Sequence, residues 1–187
     1  MIYINDRLFD LDTSLLQRSI DALPQWRREV VLRFTQELGR RQSLLAYQLL
    51  CDGLRQDFGI DAPPRFRMGA HGKPFLPDYP QIHFNLSHCR EAVACAVDTE
   101  PVGIDIETYR LPSDRVLRYA MNEDEQRRIR ESVNPRRTFT ILWTQKEALV
   151  KLSGEGITHA LPGLLLNTPH RLQTLVTERY VCTLARE

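Results

Sequence analysis

The chain of 187 residues has no uncharged apolar run approaching the roughly 18 residues a membrane-spanning helix needs, and none is expected. It also has little net charge. Lysine and arginine total 25 against 24 acidic residues, leaving +1, so nothing in the total requires nucleic acid or an anionic membrane as partner. Cysteine is scarce, and Cys51, Cys89, Cys95 and Cys182 show no Cys-x-x-Cys spacing. The stretch Met1 to Asp6 has neither a basic region nor a long apolar run, so a cytoplasmic protein with reduced thiols is expected. Internal repeats, low-complexity tracts and linkers are missing as well. What is present is an ordinary globular composition, 42% hydrophobic and 26% charged, which excludes disorder and allows one full core or two small ones.

Charge is unevenly placed. Between Arg18 and Arg41 lie six arginines and three acids, whereas Asp98 to Glu107 carries four acids and no base. The acidic stretch contains Val102-Gly-Ile-Asp-Ile-Glu107. Its alternation of Val102, Ile104 and Ile106 with Gly103, Asp105 and Glu107 predicts a strand with both carboxylates on one face. Two such carboxylates repel unless a cation or proton sits between them, and hard oxygen ligands suit magnesium. An edge strand with a solvated outer face would show the same alternation.

Along the chain, Met1 to Asn5 alternates like a strand, and Thr13 is a candidate cap for a helix reaching Ala22. A long helical pattern follows from Pro24 to Phe58, with Gly39 a candidate break and Gly59 a stop. Its arginines suit a solvated face or an anion site. Ala62 to Pro80 is rich in proline and glycine, and Gly72-Lys73-Pro74 reads as a turn that presents Lys73. Strands are expected at Ile82 to Leu86, ending in Ser87-His88, and at Glu91 to Val97. His88 is a hydrogen-bonded structural histidine or a functional one. A polar connection then leads to Asn122, which forms a capping box with Glu125. Asn134-Pro135 opens the last helix, closed by Gly154 and Gly156, and a hairpin joins Arg171–Val176 to Tyr180–Leu184. In that helix Trp143, Glu147 and Lys151 stack at steps of four beside Lys146, which fits either a helix salt bridge or a catalytic pair.

Four blocks in order, Gly72-Lys-Pro74, Phe84-Asn-Leu-Ser-His88, Val102 to Glu107, and Trp143 to Lys151 with Gly154-Glu-Gly156, make the chain resemble the 4'-phosphopantetheinyl transferases, specifically the single-chain type that activates surfactin synthetase. The resemblance implies an α+β fold of two similar, tightly packed halves, roughly residues 1–100 and 101–187. It implies a monomer that uses magnesium to move 4'-phosphopantetheine from coenzyme A to a serine of an apo acyl or peptidyl carrier protein. Such carriers serve fatty-acid, polyketide or nonribosomal peptide synthesis. Carried onto this sequence, Asp105, Glu107 and Glu147 become metal ligands, and Glu147 and Lys151 the catalytic pair. Lys73, Ser87 and His88, with Arg41, Ser43 and Lys146, become the coenzyme A contacts. A different magnesium-dependent hydrolase of pyrophosphate bonds, or a binding protein without turnover, would share parts of this pattern. The segment after Gly156 is short, which bears on which carrier is accepted.

Overall fold

A computed structural model describes residues 1–69, 71–156, 161–166 and 168–187. Two three-stranded antiparallel sheets form its centre. The first has the order β1 (Ile2–Asn5), β5 (Val93–Asp98), β4 (His83–His88). The second has the order β6 (Val102–Thr108), β8 (Tyr180–Arg186), β7 (Arg171–Val176). β2 (Arg67–Met68) and β3 (Pro74–Phe75) make a small hairpin around the Gly72-Lys73-Pro74 turn. The architecture is α+β, as expected.

Period-two alternation builds the core. Register pairs Ile2 with Ala96 and Ile4 with Ala94 in the first sheet, and Ile104 with Leu184 and Ile106 with Cys182 in the second. These side chains meet in one buried cluster with Ala92, Val102 and Tyr180. The alanines let the sheets approach closely, and fully burying a residue such as Ile104 or Ile106 contributes about 1.5–3 kcal/mol. The opposite face of the first sheet, carrying Cys95 and Val97, is covered by α3 (Glu37–Phe58) through Leu50 and Leu54. α1 (Thr13–Asp21) and α2 (Gln25–Leu32) pack on α3 around Leu16, Ile20, Val31, Leu44 and Tyr47.

The helix pattern from Pro24 to Phe58 is divided at Arg33–Gln36, ahead of Gly39. Gly39 lies inside α3, where a methyl group would sit 2.8 Å from the Phe34 ring, so its smallness serves packing. Asp12 rather than Thr13 caps α1, accepting the Leu15 N–H. The polar connection after Glu107 contains a helix, α4 (Asp114–Ala120), capped by Ser113. The capping box at Asn122 opens α5 (Glu123–Glu131), and Asn134-Pro135 opens α6 (Pro135–Ser153), both as expected.

α6 lies on the outer face of the second sheet, and Gly103 is what permits its depth. A β-carbon there would stand 2.1 Å from the Ala148 carbonyl oxygen and 2.4 Å from the Leu152 nitrogen, atoms of a helix backbone that cannot yield. Gly103→Ala should therefore push α6 off the strand and destabilise the fold by about 3 kcal/mol, the upper range for overpacking. Chemical denaturation checks this, and an unchanged midpoint would contradict the close approach. No helix among the described residues is long and apolar enough to cross a membrane.

Candidate active site

Asp105 and Glu107 share the Gly103 face of β6, so the close helix that Gly103 admits lies directly over them. Lys151, near the end of α6, reaches across and donates to Asp105 Oδ1 at 2.7 Å and to Ser87 Oγ at 2.8 Å. Ser87 Oγ in turn donates to Asp105 Oδ1 at 3.0 Å and accepts the Ile106 N–H at 3.2 Å. Two residues earlier, Asn85 Oδ1 accepts the Ile104 N–H at 3.0 Å. Asn85 and Ser87 thus replace a missing ladder partner along the free edge of β6, which fixes where Asp105 stands. The four-residue spacing of Glu147 and Lys151 is not used as a helix salt bridge. Among the described residues Lys151 pairs with Asp105.

Asp105 is buried, and among the described residues its second oxygen, Oδ2, has no hydrogen-bond partner. Glu107 Oε1 accepts the Trp143 indole N–H at 3.1 Å and lies 3.8 Å from the Arg110 guanidinium. Burial, and after it the Asp105 charge, raise the Glu107 pKa against the opposing pull of Arg110. Burial and then the charges of Asp105 and Glu107 likewise raise that of Glu147, while Lys151 opposes them. Three carboxylates therefore feel one another in a poorly hydrated place. Among the described residues no three acidic, histidine or cysteine side chains converge into a ready-made metal cage. The bare Asp105 oxygen and the all-oxygen donor set nevertheless fit magnesium, which binds through few carboxylates and completes its shell with water and phosphate oxygens.

Beside this cluster, a cavity of about 220 Å³ is lined by His71, Lys73, Asn85, Val150, Lys151 and Gly154. Lys73 Nζ donates to the Leu152 carbonyl at 2.7 Å, so the turn is tied to the C-terminal end of α6, where a cation is favoured. A larger cavity of about 570 Å³ is lined by Lys73, Phe75, Ile82, His83 and His170 among others. Chemistry favours the smaller one, because Lys151 joins it to Asp105. His88 follows Ser87 on the other face of β4, the face of buried Phe84, and is itself exposed at the strand end. Desolvation by the surrounding chain, and next the Lys151 charge, hold its imidazole below the ordinary histidine range.

Residues 101–184 match the model of the 4'-phosphopantetheinyl transferase superfamily. The 4'-phosphopantetheinyl transferase psf-1 of Bacillus pumilus is 30% identical over 162 residues, covering 83% of this chain and 70% of that protein. The 4'-phosphopantetheinyl transferase AcpT of Salmonella typhi is 32% identical over 156 residues, covering 77% of each. The chain belongs to the 4'-phosphopantetheinyl transferase superfamily. Against the 4'-phosphopantetheinyl transferase Sfp of Bacillus subtilis (strain 168), 30% identical over 145 residues, the matched part spans only 65% of that protein's length.

Within this superfamily member the structure brings Lys73, Ser87, Asp105, Glu107, Glu147 and Lys151 into one region, and it corrects two expected coenzyme A contacts. Lys146 is fully buried on another side of α6, where its ammonium donates to Glu125 Oε2 at 2.7 Å and to the Ala120 and Leu161 carbonyls. The four-residue stripe of Trp143, Glu147 and Lys151 leaves position 146 roughly 100° away around the helix, which is why it points into the interior. Burial lowers its pKa, and Glu125 opposes the shift. Lys146→Met should destabilise the protein by about 3–5 kcal/mol, because Glu125 would keep a buried charge with no cation. Denaturant unfolding measures it. Adding Glu125→Met should restore much of the loss, and a harmless single variant would contradict the pairing.

Arg41 is the second correction. Its buried guanidinium pairs with Glu37 and donates to the Leu8 and Leu11 carbonyls, so it braces the helical layer instead of facing a phosphate. Ser43 Oγ accepts from Arg27 at 2.9 Å and keeps its own proton to donate. The roles of Asn85, Gly103 and Arg110 emerge only from the fold. For Asn85 the two-residue step to Ser87 was the available signal, and for Gly103 its place on the carboxylate face of a strand that a helix must cover.

Proposed function

We propose that the protein transfers the 4'-phosphopantetheine group of coenzyme A to a serine hydroxyl of an apo acyl or peptidyl carrier protein, yielding the holo carrier. The observation that carries this reading is Lys151 bridging Asp105 and Ser87 at the edge of a cavity closed by the Lys73 turn, with one Asp105 oxygen bare. A pyrophosphate substrate needs cations around it and a place for charge developed by the leaving phosphate.

Lys73 and His88 hold the nucleotide and phosphate end of coenzyme A, helped by Ser43, while Ser87 acts from behind by fixing Asp105 and Lys151. Glu147 accepts the proton of the carrier serine, directly or through a water. The serine oxygen then forms a bond to the phosphorus bearing the pantetheine arm. The bridging P–O bond breaks, and adenosine 3',5'-bisphosphate leaves with the electron pair. Lys151 meets the charge on the departing oxygens. Asp105, Glu107 and Glu147 would hold magnesium, which supplies charge neutralisation and orientation at the pyrophosphate. Residues 1–100 provide the coenzyme A contacts and residues 101–187 the metal ligands and the catalytic helix. The protein works as a monomer in the cytoplasm, a reducing compartment that the four free cysteines suit.

Chromatography of adenosine 3',5'-bisphosphate tests the reading. Its release from coenzyme A should require an apo carrier protein and stop when the carrier serine is replaced by alanine. Rapid release without carrier would instead identify a pyrophosphate hydrolase.

A further inference from the structure

The Glu107 carboxylate is held by a group outside the acidic cluster. Trp143 Nε1 donates to Glu107 Oε1 at 3.1 Å, and the indole ring stacks on Phe139 with centroids 5.9 Å apart. Arg110 lies over the same two rings, its guanidinium carbon 5.1 Å from the Trp143 centroid and 5.7 Å from that of Phe139. The Arg110 N–H donates to Thr140 Oγ1 at 3.4 Å, tying the chain after β6 to α6. Phe139 is fully buried in the cluster with Leu117, Met121 and Leu142. An aromatic ring packed against a buried ring, with one cation seated against both, therefore aims one N–H donor at one carboxylate oxygen. Among the described residues no protein group donates to the other, Oε2.

We propose that Trp143, packed against Phe139 and Arg110, is a positioning residue that fixes the Glu107 carboxylate with one oxygen committed to the indole and the other presented to a divalent cation. The inference rests on the functional reading above. Glu107 stands near the end of β6, half-exposed, and a glutamate has three side-chain torsions to order. Holding it in one rotamer before the cation arrives removes that entropy from the binding step. Partners of this kind, one bond removed from the metal, are typically worth about 10–100-fold in metal affinity.

The test uses the full chain and Mn²⁺ as probe, with free Mn²⁺ counted by electron paramagnetic resonance in the presence of coenzyme A. Trp143→Phe keeps an aromatic ring in the stack and removes the N–H. It should weaken Mn²⁺ binding by about 10–100-fold. In carrier modification it should raise the Mg²⁺ concentration for half-maximal rate by a similar factor, while the rate at saturating Mg²⁺ stays within about threefold of the parent. Phe139→Leu, which loosens the stack but keeps the donor, should lose less Mn²⁺ affinity than Trp143→Phe.

A second measurement needs no change at Trp143. The chain has two tryptophans, so Trp26→Phe leaves Trp143 as its sole indole. Its fluorescence should be quenched by Mn²⁺ over the concentration range in which the ion binds. If the parent transfers phosphopantetheine and Trp143→Phe binds Mn²⁺ as the parent does, the inference falls and the proposed function stands. Unquenched fluorescence in Trp26→Phe while Mn²⁺ binds also overturns it. A parent chain that binds no Mn²⁺ overturns the inference together with the metal assignment beneath it.

Discussion

Asp105→Asn should slow carrier modification by at least about 1,000-fold, equivalent to about 4 kcal/mol of transition-state stabilisation, the scale at which a Lewis-acidic metal acts. The change keeps the shape of the side chain and the acceptor that faces Lys151 and Ser87. It removes the negative charge and turns the bare Oδ2 position into a neutral group. Stability should move little. The variant relieves repulsion among three carboxylates, and Lys151, with 27% of its side chain exposed, can recover solvation for its ammonium. The prediction is a catalytic collapse with a melting temperature near that of the parent, from initial rates and thermal unfolding on the same samples. A similar loss of rate and stability would make Asp105 a scaffold residue, and a retained rate would remove it from the chemistry.

Glu147→Gln carries the second large effect. As half of a surface helix pair, Glu147 would contribute at most about 0.5 kcal/mol and its loss would leave turnover unchanged. That role is not open to it in this structure, because Lys151 is taken by Asp105. Its carboxylate is half-buried beside two others, and its raised pKa has burial as first cause and the Asp105 charge as second, which suits a base better than a solvated side chain. The amide should lower the rate at saturating Mg²⁺ and coenzyme A by at least about 100-fold, the lower end of general-base catalysis. Near-parental turnover would leave α6 as support only.

Much of this arrangement is legible in the residues themselves. Alternation in Val102 to Glu107 places Asp105 and Glu107 on one face, and the four-residue steps of Trp143, Glu147 and Lys151 place them on one side of α6. The individual strands, the hairpin from Arg171, the capping box at Asn122 and the proline opening α6 follow from equally local signals. What the sequence does not contain is the choice of partner across space. Lys151 could have bonded Glu147 by local rules, yet Gly103 brings the helix close enough for Asp105 to win. Lys146 and Arg41 look like free cations in a sequence, but each is drawn inward by a glutamate and backbone carbonyls that only the tertiary fold supplies. Ser87 reads as a phosphate contact until the edge of β6 is seen to need an acceptor for the Ile106 N–H. α4 escaped because only Leu117 and Ala120 of its short span are buried, too few to set a helical period.

The central claim is that one site, assembled from β4, β6 and α6, transfers the phosphopantetheine group. Intact-mass spectrometry of a panel of apo carrier proteins, each incubated with the protein, Mg²⁺ and coenzyme A, tests it most directly. The account predicts that at least one carrier gains the mass of a single phosphopantetheine group on its serine. It also predicts that neither a chelator-treated reaction nor the Asp105→Asn variant gives that gain at equal time. A panel that stays unmodified with the parent chain, or is modified equally by Asp105→Asn, would contradict it.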